Sequence, residues 1–440
     1  MNTTERRVAI TGVGAITSVG VGLQRTWDAL CAGRLGLSNQ REWLEAELQG
    51  FARLRTHLAG RIEDYDLLSD PEFPGFSNVL KPRDVEREMS RAAMMALRAT
   101  AEALSDAGLI GETLEISGID LLRTAVTLGS GIGGASGLSQ LGAELALNTR
   151  PRATRMYQVQ PDNPTVYTKR FFGAKGPSLG VSQACASGGI AIALGASMIE
   201  RDEADVVIAG GAEALEPSLV ALFEATGAAS DSSDPAMAVR PFDVAAAGTV
   251  VAEGAGIVIL ESHGHALARG ADVLAFVDGW AITGGTEGPT MMDEEGVLRA
   301  MRLAVERGEL QESERVALSP HATGTRLGDQ VEARAVARLA SHLGGSGGGI
   351  VKVFPIKGNI GHTIGASGGI EAAVSVHALA AGAVPPSTTT RDGVDEVREL
   401  LPLSPGPNVV DFDAVLSNNM GFGDQNVSVL IRRPPRPEAG

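Results

Sequence analysis

The chain has 440 residues, 44% hydrophobic, 20% charged and only 4% aromatic, with a formal charge of −16. That length supplies core for two domains or one duplicated architecture. The acidic balance argues against nucleic-acid binding across the surface, and any acidic protein partner needs a local basic patch.

Two cysteines, Cys31 and Cys185, imply no disulfide framework and a reducing cytoplasm. M-N-T-T-E-R-R leads straight into V-A-I-T-G without a signal-peptide core. No apolar run approaches the ~18 residues of a membrane span, so no membrane association is expected.

Arg7–Thr11 reads as a strand, followed by a Gly-rich turn, G-V-G-A-I-T-S-V-G. Gly12 and Gly14 are followed by Thr17 and Gly20, which departs from G-x-G-x-x-G, so no dinucleotide site is expected there. Residues 23–33 read as a short helix. Residues 38–85, polar and charged with Pro71, Pro74 and Pro82, read as an irregular insertion capping the core. Glu86–Leu109 reads as one amphipathic helix. Ala125–Leu128 reads as a strand and Leu138–Leu147 as a helix. Between 150 and 175, Arg150, Arg152, Arg155, Lys169, Arg170 and Lys175 face only Asp162. This is the best basic patch of the chain, unless it is simply a solvated face.

The next stretch is G-P-S-L-G-V-S-Q-A-C-A-S-G-G-I-A-I-A-L-G-A-S-M-I-E-R. Leu179–Val181 reads as a strand ending in small residues at Cys185. An apolar helix follows to about Arg201, then a strand at Val206–Ala209. The pattern places a thiol at a helix start, where free N–H groups and the macrodipole favour a thiolate and can bind an oxyanion. A buried free cysteine is equally a small core hydrophobe, and this stretch alone leaves both readings open.

Ala228–Ala236 reads as a loop and Gly256–Leu260 as a strand. His263 and His265 would point to different faces of a helix start with no third ligand near, so no metal is expected. A second series follows. Leu274–Val277, Ala317–Pro320, Val351–Pro355, Ala414–Ser417 and Val427–Arg432 read as strands. Glu294–Arg307, Asp329–Leu343 and Gly361–Ala381 read as helices, and Gly344–Gly349 as a flexible surface loop. Alternating strands and helices in both parts predict α/β layering, duplicated in element order.

His321 lies in S-P-H-A-T-G-T-R-L-G-D and His362 in K-G-N-I-G-H-T-I-G-A-S-G, each at a strand-to-helix junction, where sites assemble in parallel sheets. One cysteine and two imidazoles suit acyl transfer followed by carbanion chemistry. The thiolate takes an acyl group from a thioester, and neutral imidazoles donate to a carbonyl as charge develops on it. Lys357, five residues before His362, could hold that site's protonation pattern and hydrogen bonds.

These motifs, with A-C-A-S-G around Cys185, R-P-F-D and N-M-G-F-G, resemble the β-ketoacyl-(acyl carrier protein) synthases of the thiolase superfamily, elongating Cys-His-His type, over nearly the whole chain. The resemblance implies a five-layered α-β-α-β-α fold with two similar halves, 1–265 carrying the nucleophile and 266–440 carrying the histidines and gate loop. It implies Cys185 as the acylated nucleophile, with His321 and His362 promoting malonyl decarboxylation and stabilising the enolate. Lys357 would be the supporting lysine. The backbone N–H groups of Cys185 and Phe422 would form the oxyanion hole, and Phe422 would gate the acyl pocket. Asp329 and Glu332 would be structural.

No cofactor or metal is implied. The implied partners are acyl carrier protein, docking on the basic patch, and a second subunit, either identical or a chain-length-factor-like homologue. Where the family continues G-F-G-G-x-N, this chain has Gly421-Phe422-Gly423-Asp424-Gln425-Asn426. Asp424 would stiffen and charge the gate loop. That departure, and the unusual Q-P-D-N-P-T-V-Y segment, point to a specialised polyketide or lipid pathway. A thiolase would need a second cysteine near the C-terminus, and an initiating synthase would have Asn in place of His362. The alternatives kept are a non-decarboxylating acyltransferase of the same fold and a chain-length-factor-like binding subunit.

Overall fold

The computed structural model describes residues 6–48, 54–286, 288, 292–344 and 348–435. A first series runs β1 (Val8–Thr17), α1 (Arg91–Asp106), β2 (Thr124–Gly129), α2 (Asn163–Phe172), β3 (Ser178–Val181), α3 (Ser187–Glu200), β4 (Val206–Glu213) and β5 (Gly254–Ser262). A second runs β6 (Ala275–Gly284), α4 (Glu294–Arg307), β7 (Arg315–Ser319), α5 (Arg326–Leu343), β8 (Gly349–Val353), α6 (Ser367–Ala381), β9 (Ala414–Gly421) and β10 (Gln425–Arg432).

The strand order is β3-β2-β4-β5-β1 in the first half and β8-β7-β9-β10-β6 in the second. Directions match as well. β2 is parallel to β3 and β4, and β7 is parallel to β8 and β9. β5 runs antiparallel to β4 and β1, as β10 does to β9 and β6. The halves join where Val8–Ile10 pairs antiparallel with Ala275–Val277.

The helices make three layers, with the two halves of the sheet between them. α1 and α2 cover the outside of the first half, α4 and α5 the outside of the second, and α3 and α6 pack against each other in between. The sequences explain the placement. α1 and α4 carry one apolar stripe each, whereas α3 and α6 are apolar almost all round, which requires burial on every side. Alternation along the strands feeds separate cores: on β9, Val415 faces the middle core and Leu416 the outer one.

Several expectations are corrected. The first strand does not stop at Thr11; β1 continues, fully buried, to Thr17. Gly12 and Gly14 lie inside it because α1 packs so closely that a Cβ would stand 2.1 Å from Ala103 O and 2.2 Å from Ala99 O. They serve helix–strand contact, not a turn. The helix expected over 86–109 is two, Pro82–Glu88 and α1, divided at Ser90, whose hydroxyl caps α1 by accepting the Ala93 N–H at 3.1 Å.

The described parts of 38–85 are irregular between short ordered pieces. Short helices at Arg41–Leu48, Gly75–Val79 and Pro82–Glu88 bury Leu44, Phe76 and Val85. The fully buried Arg98 of α1 ties this segment down through Asp70 and Glu72. The helix expected from Gly361 begins only at Ser367, because Gly361 (φ 80°) and Ile364 (φ 46°) break the path. Of the expected loop Gly344–Gly349, residues 345–347 lie outside the described residues, and Gly349 already belongs to β8.

Candidate active site

Each chemical group follows a strand end. After β3 the chain turns through Ala184, at φ 48°, and delivers Cys185 two residues before α3. Ser187 closes that turn, its hydroxyl accepting the Gln183 N–H at 2.8 Å and donating to Ala184 O at 2.6 Å. His321 lies two residues after β7. Its N–H and that of Ala322 donate to the buried Glu332 carboxylate at 2.8 and 2.7 Å, and Asn418 donates to the same group at 2.7 Å. His362 precedes α6 and is fixed by strand-like bonds, its N–H to Val250 O and its carbonyl from the Ala252 N–H, both 2.8 Å.

The fold therefore brings the three expected residues together. His362 Nε2 lies 3.0 Å from Cys185 Sγ. The two imidazoles meet edge to face with centroids 5.2 Å apart. One sulfur or ring nitrogen from each of the three lies within 4.8 Å of the others, and all three residues are buried. These donor types could ligate a metal, but the pair already joined by a hydrogen bond suits proton transfer without one. The three open onto a cavity of about 490 Å³, also lined by Phe223, Thr323, Arg326, Met420 and Phe422.

Burial dominates the electrostatics. It pushes the Cys185 thiol up to about 12, with the Lys357 charge only partly opposing it. Desolvation of the buried sulfur thus opposes the help expected from the helix start. Burial, then Lys357, holds both imidazoles well below the ordinary histidine range, so both are neutral at pH 7.

Lys357 does not hydrogen-bond to His362 directly. It pairs with the buried Glu371, which also accepts from Asn419. Burial raises the Glu371 carboxyl to about 7 against the pull of Lys357. The group on His362 Nδ1 is Ser367 Oγ, at 3.3 Å. A hydroxyl accepting from Nδ1–H leaves Nε2 bare to take the thiol proton, and one donating to Nδ1 puts the ring proton on Nε2. Asp329 and Glu332 act as braces: Asp329 accepts the Phe242 and Gly324 N–H groups at 2.7 and 3.1 Å.

Phe422 starts the three-residue turn between β9 and β10. Its ring stacks on Phe223 at 5.9 Å and 27°. Gly421 lets the end of β9 pass close to the nucleophile's backbone, since a Cβ there would stand 3.3 Å from Cys185 N and 3.2 Å from Ala186 N.

The basic patch is divided. Arg150, Arg152 and Lys175 are exposed. Arg155 turns inward to Glu144 at 2.7 Å, and Arg170 reaches Glu88 at 3.4 Å. Arg152 and Arg155 share a second cavity, about 460 Å³, with Arg61, Arg87 and Arg91. Those last three lie far off in sequence within acidic surroundings and escaped the sequence reading. Phe223 escaped as well, since L-V-A-L-F-E-A reads as any helix core. Glu371 stands within the His362 motif, in A-S-G-G-I-E, and could have been found as the one carboxylate on an apolar helix.

Comparison with known proteins agrees with this geometry. Residues 5–266 match the beta-ketoacyl synthase N-terminal domain and residues 274–391 the C-terminal domain. A 3-oxoacyl-[acyl-carrier-protein] synthase 2 of Vibrio harveyi is 30% identical over 439 residues, covering 98% of this chain and 99% of its own. A polyketide beta-ketoacyl synthase 1 of Streptomyces halstedii is 32% identical over 444 residues, covering 98% and 99%. The crystal structure of a beta-ketoacyl synthase from Burkholderia phymatum superposes with a TM-score of 0.84 at 30% identity, covering 98% of this chain and 100% of its own. The ishigamide ketosynthase/chain length factor superposes at 0.82 and 26% identity, covering 98% and 100%. The layered fold with two similar halves is thus that of the ketosynthases, and the chain belongs to the β-ketoacyl synthase family.

Proposed function

We propose that this enzyme joins a Cys185-bound acyl chain to malonyl-acyl carrier protein with loss of CO2, giving a 3-oxoacyl-carrier protein for fatty-acid or polyketide elongation. The observation that carries the reading is the Cys185–His362 contact of 3.0 Å, with His321 beside it, at the floor of a cavity.

In the first half-reaction the Cys185 thiol gives its proton to His362 Nε2. The sulfur attacks the acyl thioester carbon, and the proton leaves with the carrier thiol. The N–H groups of Cys185 and Phe422 face the oxyanion. In the second, Nε2–H groups of His321 and His362 hydrogen-bond the malonyl thioester oxygen as the C–CO2 bond breaks and an enolate forms. The enolate carbon attacks the acyl-cysteine, and Cys185 leaves as thiolate, to be reprotonated. Atoms and charge balance with no redox partner. The Lys357 charge supports the neutral state of both histidines.

Carrier protein would dock on the face of Arg150, Arg152, Arg155, Lys169 and Arg170, where Arg152 and Arg155 share a cavity with Arg61 and Arg87. A dimer, with itself or with a chain-length-factor-like homologue, would form along β3, the outer edge of its half with Leu179 exposed. The halves would divide near 265/266, between the end of β5 and the start of β6. Two free cysteines suit a reducing cytoplasm.

Incubation with acyl-carrier protein tests the first step by intact mass: wild type gains the acyl group and Cys185→Ala gains none. Adding malonyl-carrier protein then releases CO2. Acylation without CO2 release would convert the reading to a non-decarboxylating acyltransferase.

A further inference from the structure

We propose that Asp424 is a latch that holds the Phe422 gate closed and thereby sets which acyl chains reach Cys185. The proposal deepens the condensing-enzyme reading and rests on it for the identity of the chain. The turn Phe422–Gly423–Asp424 has a cavity side and a socket side. Phe422 lines the cavity with Cys185 and stacks on Phe223. Gly423, at φ 84°, is the joint between them, with open space where a Cβ would stand.

Asp424 points the other way and is 1% exposed. Its carbonyl accepts the Gly285 N–H at 3.0 Å, just beyond β6. Its Oδ1 accepts the Asp293 N–H at 3.2 Å, at the start of α4, and lies 3.4 Å from Asn426 Nδ2. Gly285 makes the socket possible, since a Cβ there would lie 1.7 Å from Asp424 Oδ2. The turn is thus bonded to two elements that do not belong to the gate.

Two features oppose this hold. Asp424 takes φ 59°, a left-handed conformation that glycine adopts at less cost. Its Oδ2 is buried with no hydrogen-bond partner among the described residues, and so is the neighbouring Asn426 Oδ1. A buried oxygen without a donor recovers solvation once the turn swings out. Bonds favour the closed turn while strain and a bare carboxylate oxygen oppose it, and the hold of the latch is the surplus of the first over the second. With glycine at this position, as in the G-F-G-G-x-N pattern, the carboxylate bonds would be absent.

The test reads gate opening through Cys185 alkylation by iodoacetamide and by N-octyl-iodoacetamide, followed by intact mass. Asp424→Gly, which suits the left-handed backbone, should speed the octyl reagent about five-fold, the size of one net hydrogen bond, and leave iodoacetamide within about two-fold. Asp424→Asn retains an Oδ1 acceptor and should stay near wild type with both. An unchanged octyl rate in Asp424→Gly, equal acceleration with both reagents, or Asp424→Asn behaving as Asp424→Gly overturns the latch. Octanoyl-carrier protein is run beside the reagents. Selective alkylation without any acylation of wild type keeps the latch and removes the condensing reading, whereas acylation without selectivity does the reverse.

Discussion

The two halves share one frame and carry opposite chemical loads. After β3 the first half places Cys185 before α3; after β8, at the matching position, the second places His362 before α6. After β7 comes His321, and after the matching β2 come Ser130 and Gly131, which donate to the buried Glu213. The last connections differ most. β4 and β5 are joined by the excursion 214–253 with its helix Pro217–Ala225, while β9 and β10 are joined by the turn Phe422–Asp424. The two connections meet, Phe223 of one stacking on Phe422 of the other. Duplication supplies converging strand ends. Divergence at those ends puts a nucleophile on one side and its proton acceptors on the other.

That division of labour can be broken from either side. His321→Ala should leave acylation of Cys185 intact and slow condensation about 10²–10⁴-fold, the usual worth of a positioned acid–base group; equal loss of both steps would mean the halves are not specialised. Lys357→Met should destabilise the fold by about 3–5 kcal/mol, because it strands a buried carboxylate. Burial already raises Glu371 to about 7, so the loss in melting temperature should be larger at pH 8.5 than at pH 6. Adding Glu371→Gln should recover part of it.

The neutral imidazoles give a third prediction. Their folded pKa values lie below the unfolded one, so the unfolded chain binds more protons below about pH 6.5 and stability falls as pH drops through that value. Each histidine adds to that fall in the same direction. His321→Asn should therefore lose less melting temperature than wild type between pH 7.5 and 5.5. The smallest effect belongs to the surface: Arg87→Glu with Arg152→Glu should raise KM for carrier protein about three- to ten-fold and flatten its salt dependence, with kcat unchanged.

Much of this frame was legible in the sequence. The strand and helix order, and the junctions holding Cys185, His321 and His362, follow from apolar runs broken by glycine. Three things were not legible, each because a distant partner decides it. Gly12 and Gly14 look like turn residues until α1 is seen against them. The thiol's electrostatics depend on burial contributed by Leu219, Phe223 and Leu44, all far away in sequence. In the polar segment 38–85, Asp70 and Glu72 are held by the distant Arg98.

The central claim is that Cys185 carries the chain while the second half generates the carbanion. Single-turnover mass analysis of the acylated protein mixed with malonyl-carrier protein tests it directly. The account predicts that wild type loses its acyl adduct as CO2 and 3-oxoacyl-carrier protein appear in equal amounts, and that acylated His321→Ala retains the adduct. Product formation by Cys185→Ala at the wild-type rate, or adduct loss without CO2, would contradict it.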